Sequence, residues 1–137
     1  MNILLLLIDA GAVINSASFS FDKGKQYVTT PLVDSEFRDF KARLLVQQAI
    51  DEGLLSIAEP KKEFVKKAEK KLLETNSKVS NADISVFALA LQLKHAKKKF
   101  MVLTDDYSVQ NALLGEKINF EDILRGKIKK HVTFRKK

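Results

Sequence analysis

The run Ile3 to Ile8 is six apolar residues without a polar interruption, and Asp9 follows it at once. Alternation would mark a strand with one wet face; an unbroken run of this length marks a strand covered on both faces, as the strands of parallel sheets are. The predicted architecture is therefore three-layer α/β/α, with a central, mainly parallel sheet and strand 1 near its centre. In open sheets of this kind ligands sit outside the carboxyl ends of the strands, where the connections part to either side. Asp9 stands at that edge, so the question becomes which other groups the chain delivers to it.

With 137 residues, 45% of them hydrophobic, the chain suits one compact core. There is no cysteine, which removes disulfides, thiolate zinc sites and thiol nucleophiles together. The opening run is too short to cross a bilayer and lacks the basic flank and cleavage site of a signal peptide, so a cytoplasmic protein with no membrane partner is expected. The net charge is +7, but Arg125 to Lys137 holds seven of the 24 basic residues and no acid; without it, 17 bases face 17 acids. The expected division is one folded domain, 1–124, and a basic tail, 125–137. Arg125, Lys127, Lys129, Lys130, Arg135, Lys136 and Lys137 are the candidate contacts to a phosphate backbone.

Along the chain, Ala10-Gly11 allows a tight turn into a short helical piece, and Asn15 to Gln26 reads as loop, with Phe19 and Phe21 either on a mobile flap or in a half-buried extended segment. Thr29-Thr30-Pro31 is a hydroxyl cap with proline at the first helical position, opening a helix to about Glu52 that Gly53 ends. Its predicted apolar stripe is Leu32, Val33, Phe37, Phe40, Leu44, Leu45 and Ile50, and Glu36 falls in its acidic opening. Leu54 to Ala58 is a second strand, and Lys61 to Leu73 a basic amphipathic helix. Ser80-Asn81-Ala82-Asp83 has the spacing of a capping box before an almost wholly apolar helix, which gives Asp83 a structural reading beside a chemical one. Phe100 to Leu103 is a third strand running into Thr104-Asp105-Asp106; a helix from Ser108 to Leu114 and a fourth strand, Lys117 to Phe120, complete the body.

His95 and His131 both sit among lysines, and no Gly-rich phosphate loop occurs. Acids remain as the convergent chemical group. Carboxylate oxygens suit Mg2+ or Mn2+, and a cation relieves the repulsion between clustered acids.

An Asp at the end of an N-terminal strand, a helical Glu, an Asp at a helix start and a Thr-x-Asp at a later strand end, in that order, resemble the PIN-domain ribonucleases. The resemblance covers the chain to about Phe120 and implies a metal-assisted endoribonuclease in which Asp9, Glu36, Asp83 and Asp106 are both catalytic and metal-binding. Asp105 is the alternative to Asp106, which the Thr-x-Asp pattern favours. Within the family, TTPLVDSEF, SNADISVFALALQL and LTDDYSVQNALLG are similar to the Nob-type endonucleases that trim the 3′ end of small-subunit ribosomal RNA. That similarity implies precursor ribosomal RNA and a pre-ribosomal particle as partners, with a homo-oligomer left open. The Nob type carries a zinc ribbon after its nuclease domain; with no cysteine up to Lys137, a lost or absent ribbon is expected here. Three readings compete: a toxin-type PIN ribonuclease, a non-catalytic RNA-binding or assembly domain, and a phosphoaspartate receiver. The receiver fold would want an acid pair after strand 1, where this chain has Ala10-Gly11.

Overall fold

A computed structural model of the chain describes residues 4–14, 19–74, 78–122 and 129–130. Strand β1 (Leu5–Ile8) pairs in parallel with β2 (Gln26–Thr29) on one side and β4 (Phe100–Leu103) on the other. Strand β3 (Leu55–Ile57) extends the sheet beyond β2, and β5 (Phe120–Asp122) extends it beyond β4, both in parallel. A two-residue strand, β6 (Lys129–Lys130), runs antiparallel to β5, giving the order β3-β2-β1-β4-β5-β6. The mainly parallel α/β fold with strand 1 near the centre is thus as the sequence implied. Leu6, Leu7 and Ile8 are buried, as a strand covered on both faces requires.

Helices connect the strands: α1 (Ala10–Ile14), α2 (Pro31–Asp34), α3 (Phe40–Asp51), α4 (Lys62–Leu73), α5 (Asn81–His95) and α6 (Tyr107–Gly115). Helices α4, α5 and α6 pack against one another, and α2 packs against α5; the right-handed rule for parallel crossovers assigns the β1–β2 and β2–β3 connections to the opposite face from those returning to β4 and β5. Helix α5 is apolar nearly all round, with every residue from Ser85 to Leu91 buried, and it spans the protein as the interior rod of its layer. No helix among the described residues is long and apolar enough to cross a membrane.

Several expectations are corrected. Strand β2 lies where the sequence reads as loop and helix start. Tyr27 and Val28 are buried, and Phe19 and Phe21 pack edge-on against Tyr27 at 6.4 and 4.8 Å between centroids. That is the half-buried extended segment, not a flap. The long helix from Thr30 is broken: α2 lasts one turn, and α3 begins after a second cap in which the Asp39 side chain accepts from the Ala42 N–H. Phe37 is buried inside the break, while Leu32, Phe40, 80% exposed, and Leu44, all in the stripe that unbroken periodicity implies, face outward; Ala42, Val46 and Ala49 are buried instead. In the basic helix, Phe64, Ala68 and Leu72 form the buried stripe, but Leu73, which its apolar spacing adds to that stripe, is exposed. The last body strand is shifted to Phe120–Asp122, because α6 leaves through Glu116 and Lys117, whose φ of 59° makes Lys117 part of the helix exit.

Gly53, at φ 77°, ends α3 in the left-handed conformation, as expected. Helix α5 ends the same way with a lysine: Lys97 has φ 59°, its N–H donates to the Lys94 carbonyl, and the Lys98 N–H donates to that of Leu93.

Candidate active site at the strand edge

The chain runs outward from β1 to β2 and β3, then returns to β4 and β5, so the connections part between β1 and β4. That crevice is where ligands bind in doubly wound sheets. The register sets Ile8 opposite Leu103, and the Asp9 N–H donates to the Leu103 carbonyl at 3.0 Å, which places Asp9 beside Thr104.

Asp9 is buried and fully engaged. Its Oδ1 accepts from the Ala10 N–H at 2.8 Å, the small Ala10-Gly11 pair letting the chain turn into α1 directly behind it, and its Oδ2 accepts from the Thr104 hydroxyl at 2.8 Å. The Asp9 carboxyl is raised to about 6, chiefly by burial; the Thr104 and Ala10 hydrogen bonds oppose the rise, and the Asp83 and Asp106 carboxylates contribute to it. Asp83 sits in the first turn of α5, where the Ser80 hydroxyl accepts from the Asp83 N–H and Asp83 Oδ2 accepts from the Ser80 N–H, both at 3.1 Å. The capping box is therefore real. Asp83 is also half-buried, and burial, with the Asp106 carboxylate adding to it, raises its carboxyl above the usual range despite the Ser80 bond. Asp106 caps α6, its Oδ1 accepting from the Val109 N–H at 3.1 Å. Asp9, Asp83 and Asp106 thus form one electrostatically coupled set across β1, α5 and the exit of β4.

Thr104 was missed as a participant. It is fully buried, donates its hydroxyl proton to Asp9 and accepts the Asp106 N–H at 3.1 Å on the same oxygen, while Gln110 Nε2 donates to its carbonyl at 2.9 Å. A hydroxyl has one proton and two lone pairs, so this oxygen can serve both acids at once. The only sequence signal was its place two residues before Asp106. A second buried pair ties the crevice to the β2 side: the Thr30 and Ser85 hydroxyls lie 2.7 Å apart, and since Ser85 gives its proton to the Ala82 carbonyl, Thr30 is the donor.

Glu36 is apart from this set. It stands exposed in the turn between α2 and α3, not one and a half turns into a helix, and its side chain makes no hydrogen bond or ion pair among the described residues. Its acidic neighbours are accounted for: Asp34 Oδ1 lies 3.0 Å from Arg43 Nη2, clamping α2 to α3, and Asp39 caps α3. Asp105 is half-buried between Thr104 and Asp106. Lys129 and Lys130 lie in β6; the other tail candidates, Arg125, Lys127, Arg135, Lys136 and Lys137, and also His131, lie outside the described residues. His95 is exposed, as expected.

The carboxylate donor set fits a divalent cation chemically, since a positive ion would reverse the rise at Asp9 and Asp83. The match is one of kind and neighbourhood: among the described residues, no group of three or more ligand-type side chains is gathered closely enough to hold an ion.

The sequence profile of the PIN domain of ribonuclease matches residues 6–93, a span that includes Asp9, Glu36 and Asp83 and stops short of Asp106. The chain is 37% identical over 115 residues to Endoribonuclease Nob1 of Methanocaldococcus jannaschii, covering 84% of this chain and 53% of that one. It is 33% identical to the protein of that name from Methanothermobacter thermautotrophicus and 32% identical to that from Pyrococcus abyssi, covering 95% and 94% of this chain and 75% and 78% of theirs. The chain therefore spans about half the length of the first of these relatives and about three quarters of the other two. Matched by that profile and by these relatives over most of its length, the chain belongs to the PIN-domain ribonucleases, in the group of the archaeal Nob1 endoribonucleases.

Proposed function

We propose that the chain is a metal-dependent endoribonuclease that matures the 3′ end of small-subunit ribosomal RNA, with Asp9, Asp83 and Asp106 as the primary ligands of Mg2+ or Mn2+ and Glu36 as a further ligand recruited from the α2–α3 turn. The observation that carries this is the set at the β1–β4 crevice: a buried Asp9, both oxygens fixed by Ala10 and Thr104, whose carboxyl is raised to about 6 by burial and by the nearby Asp83 and Asp106. Without a cation such an arrangement costs stability, so its value lies in what it binds.

A divalent cation held there supplies positive charge against the charge building on the phosphodiester and makes water easier to deprotonate. The chain's own part is positioning. The Ala10 N–H and the Thr104 hydroxyl fix both oxygens of Asp9, so this carboxylate cannot swing away. The Thr104 oxygen holds the Asp106 backbone in the same bond network. Water adds its oxygen to phosphorus, the bond from phosphorus to O3′ breaks, and a proton from the water ends on O3′, giving a 5′ phosphate and a 3′ hydroxyl.

The test is incubation with an RNA spanning the small-subunit 3′ end in Mn2+, Mg2+ or EDTA. Discrete cleavage with either metal, abolished by EDTA, is expected. Cleavage that survives EDTA, or products ending in a cyclic phosphate, would overturn the reading.

A further inference from the structure

Away from the carboxylates, α4, the last turns of α5 and the exit of α6 enclose a groove of about 740 Å³. Its floor is Phe64 and Leu91, both buried, and five lysines border it: Lys67, Lys70, Lys71, Lys94 and Lys97. Two of the lysines hold the walls together. Lys71 Nζ lies 2.8 Å from Glu116 Oε2, and Lys94 donates to the Glu116 carbonyl, so α4 and α5 are both tied to the end of α6.

The other three have no such duty. Lys67 sits with its ammonium 5.4 Å from the centroid of Phe64, a ring that also lies 5.5 Å from the His95 imidazole. Lys67, Lys70 and Lys71 occur at three- and four-residue spacing and so share one helix face, with Glu74 the acid that closes the same helix beside them. Lys97 holds the left-handed position at the end of α5, where glycine is the usual residue and an L side chain is strained. The lysine face of α4 and the left-handed exit at Lys97 thus bring ammonium groups to one groove, the second at a cost in backbone strain.

We propose that this groove binds the phosphate backbone of the RNA that the carboxylate edge cuts. The two sites are ends of one rod: Asp83 opens α5 and His95 closes it, about 18 Å apart along the axis at 1.5 Å per residue. The proposal rests on the ribonuclease reading, which provides the polyanion. The charge of the lining points to a polyanion: five lysines face two glutamates, Glu74 and Glu116, and Glu116 is already held by Lys71. Lysines without arginine act as point charges, suited to phosphates contacted without regard to sequence.

The experiment measures binding of a single-stranded RNA to the 137-residue chain in EDTA, so that nothing is cut, across a salt series. Lys67→Gln and Lys70→Gln should each weaken binding roughly fivefold at 0.1 M salt and make the slope of log K against log salt shallower by about 0.7 per lost contact. Lys97→Gly should do the same while raising the melting temperature by a few degrees, a combination that a merely structural lysine would not give. Wild-type affinity and slope in all three variants, with the wild type binding and cutting RNA, would overturn the groove and leave the ribonuclease reading standing. A wild-type chain that neither binds nor cuts RNA would overturn both.

Discussion

The two flanks of the β1–β4 crevice are built to different standards. On the β4 side, Thr104, Asp106 and Gln110 form a closed hydrogen-bond network around Asp9, every member buried or half-buried. On the β2 side, Glu36 stands exposed in a turn whose other acids, Asp34 and Asp39, are already engaged. A carboxylate locked by two donors has lost its rotamer freedom during folding, so binding a cation costs it little more. One on an open turn must be ordered at the moment of binding. The β4 side therefore acts as a fixed base, and Glu36 as a group drawn in by the ligand.

The sharpest way to break that contrast is Asp9→Asn. Cleavage should fall about 10^3-fold, as loss of a principal metal ligand implies, yet the metal-free protein should become more stable at neutral pH. The sign follows from the carboxyl lying near 6 in the folded chain against 3.8 when free. The folded state then binds the extra proton between those values, so wild-type stability falls as pH rises through about 4 to 6, by up to roughly 3 kcal/mol. The variant's advantage, measured by urea unfolding in EDTA, should be present above pH 6 and gone by about pH 4.

Thr104→Val keeps the shape and removes the shared oxygen, leaving Asp9 Oδ2 and the Asp106 N–H without their partner. A loss of about 2 kcal/mol in stability and roughly 10^2-fold in kcat is expected; near-wild-type rates would mean the locked flank is not needed. Asp106→Asn should retain the α6 cap through its side-chain oxygen and the fold with it, yet lose most cleavage, with Asp105→Asn reduced only a few-fold. The reverse order would move the ligand to Asp105. Glu36→Gln should show the smallest effect: roughly tenfold weaker activity, recovered at higher Mn2+, with stability within about 0.5 kcal/mol of wild type. An effect as large as that of Asp9→Asn would erase the distinction between the flanks.

What could be read beforehand follows the same divide. Buried strands and caps have local chemical signatures, so β1, β4, the Ser80–Asp83 box and the Gly53 exit were legible. Strand β2 was not, since Tyr27-Val28 is too short a run to declare itself and is a strand because β1 and β3 pair with it. The break after α2 was hidden because apolar spacing continues through it; the Asp39 cap was its only local sign. Among site groups, the acids stood out because clustered carboxylates need a reason. Thr104 did not, a threonine being common at strand ends, and its function arises only when β1 and β4 come into register.

The small strand β6 bears on how the tail can be studied. The far edge of the sheet, β3, offers its unpaired backbone side to solvent, but it is short and its Ser56 and Ile57 side chains are exposed. Strand β5, by contrast, is buried along its whole length, and Lys129–Lys130 takes up its outer hydrogen-bonding groups at Glu121 and Asp122. Cutting the chain before Lys129 would therefore uncover a ready template for another copy to pair with. Such a shortened protein is expected to self-associate as its concentration rises, and weakened RNA binding in it would mix two causes. Charge-neutralising substitutions that keep the backbone in place separate them.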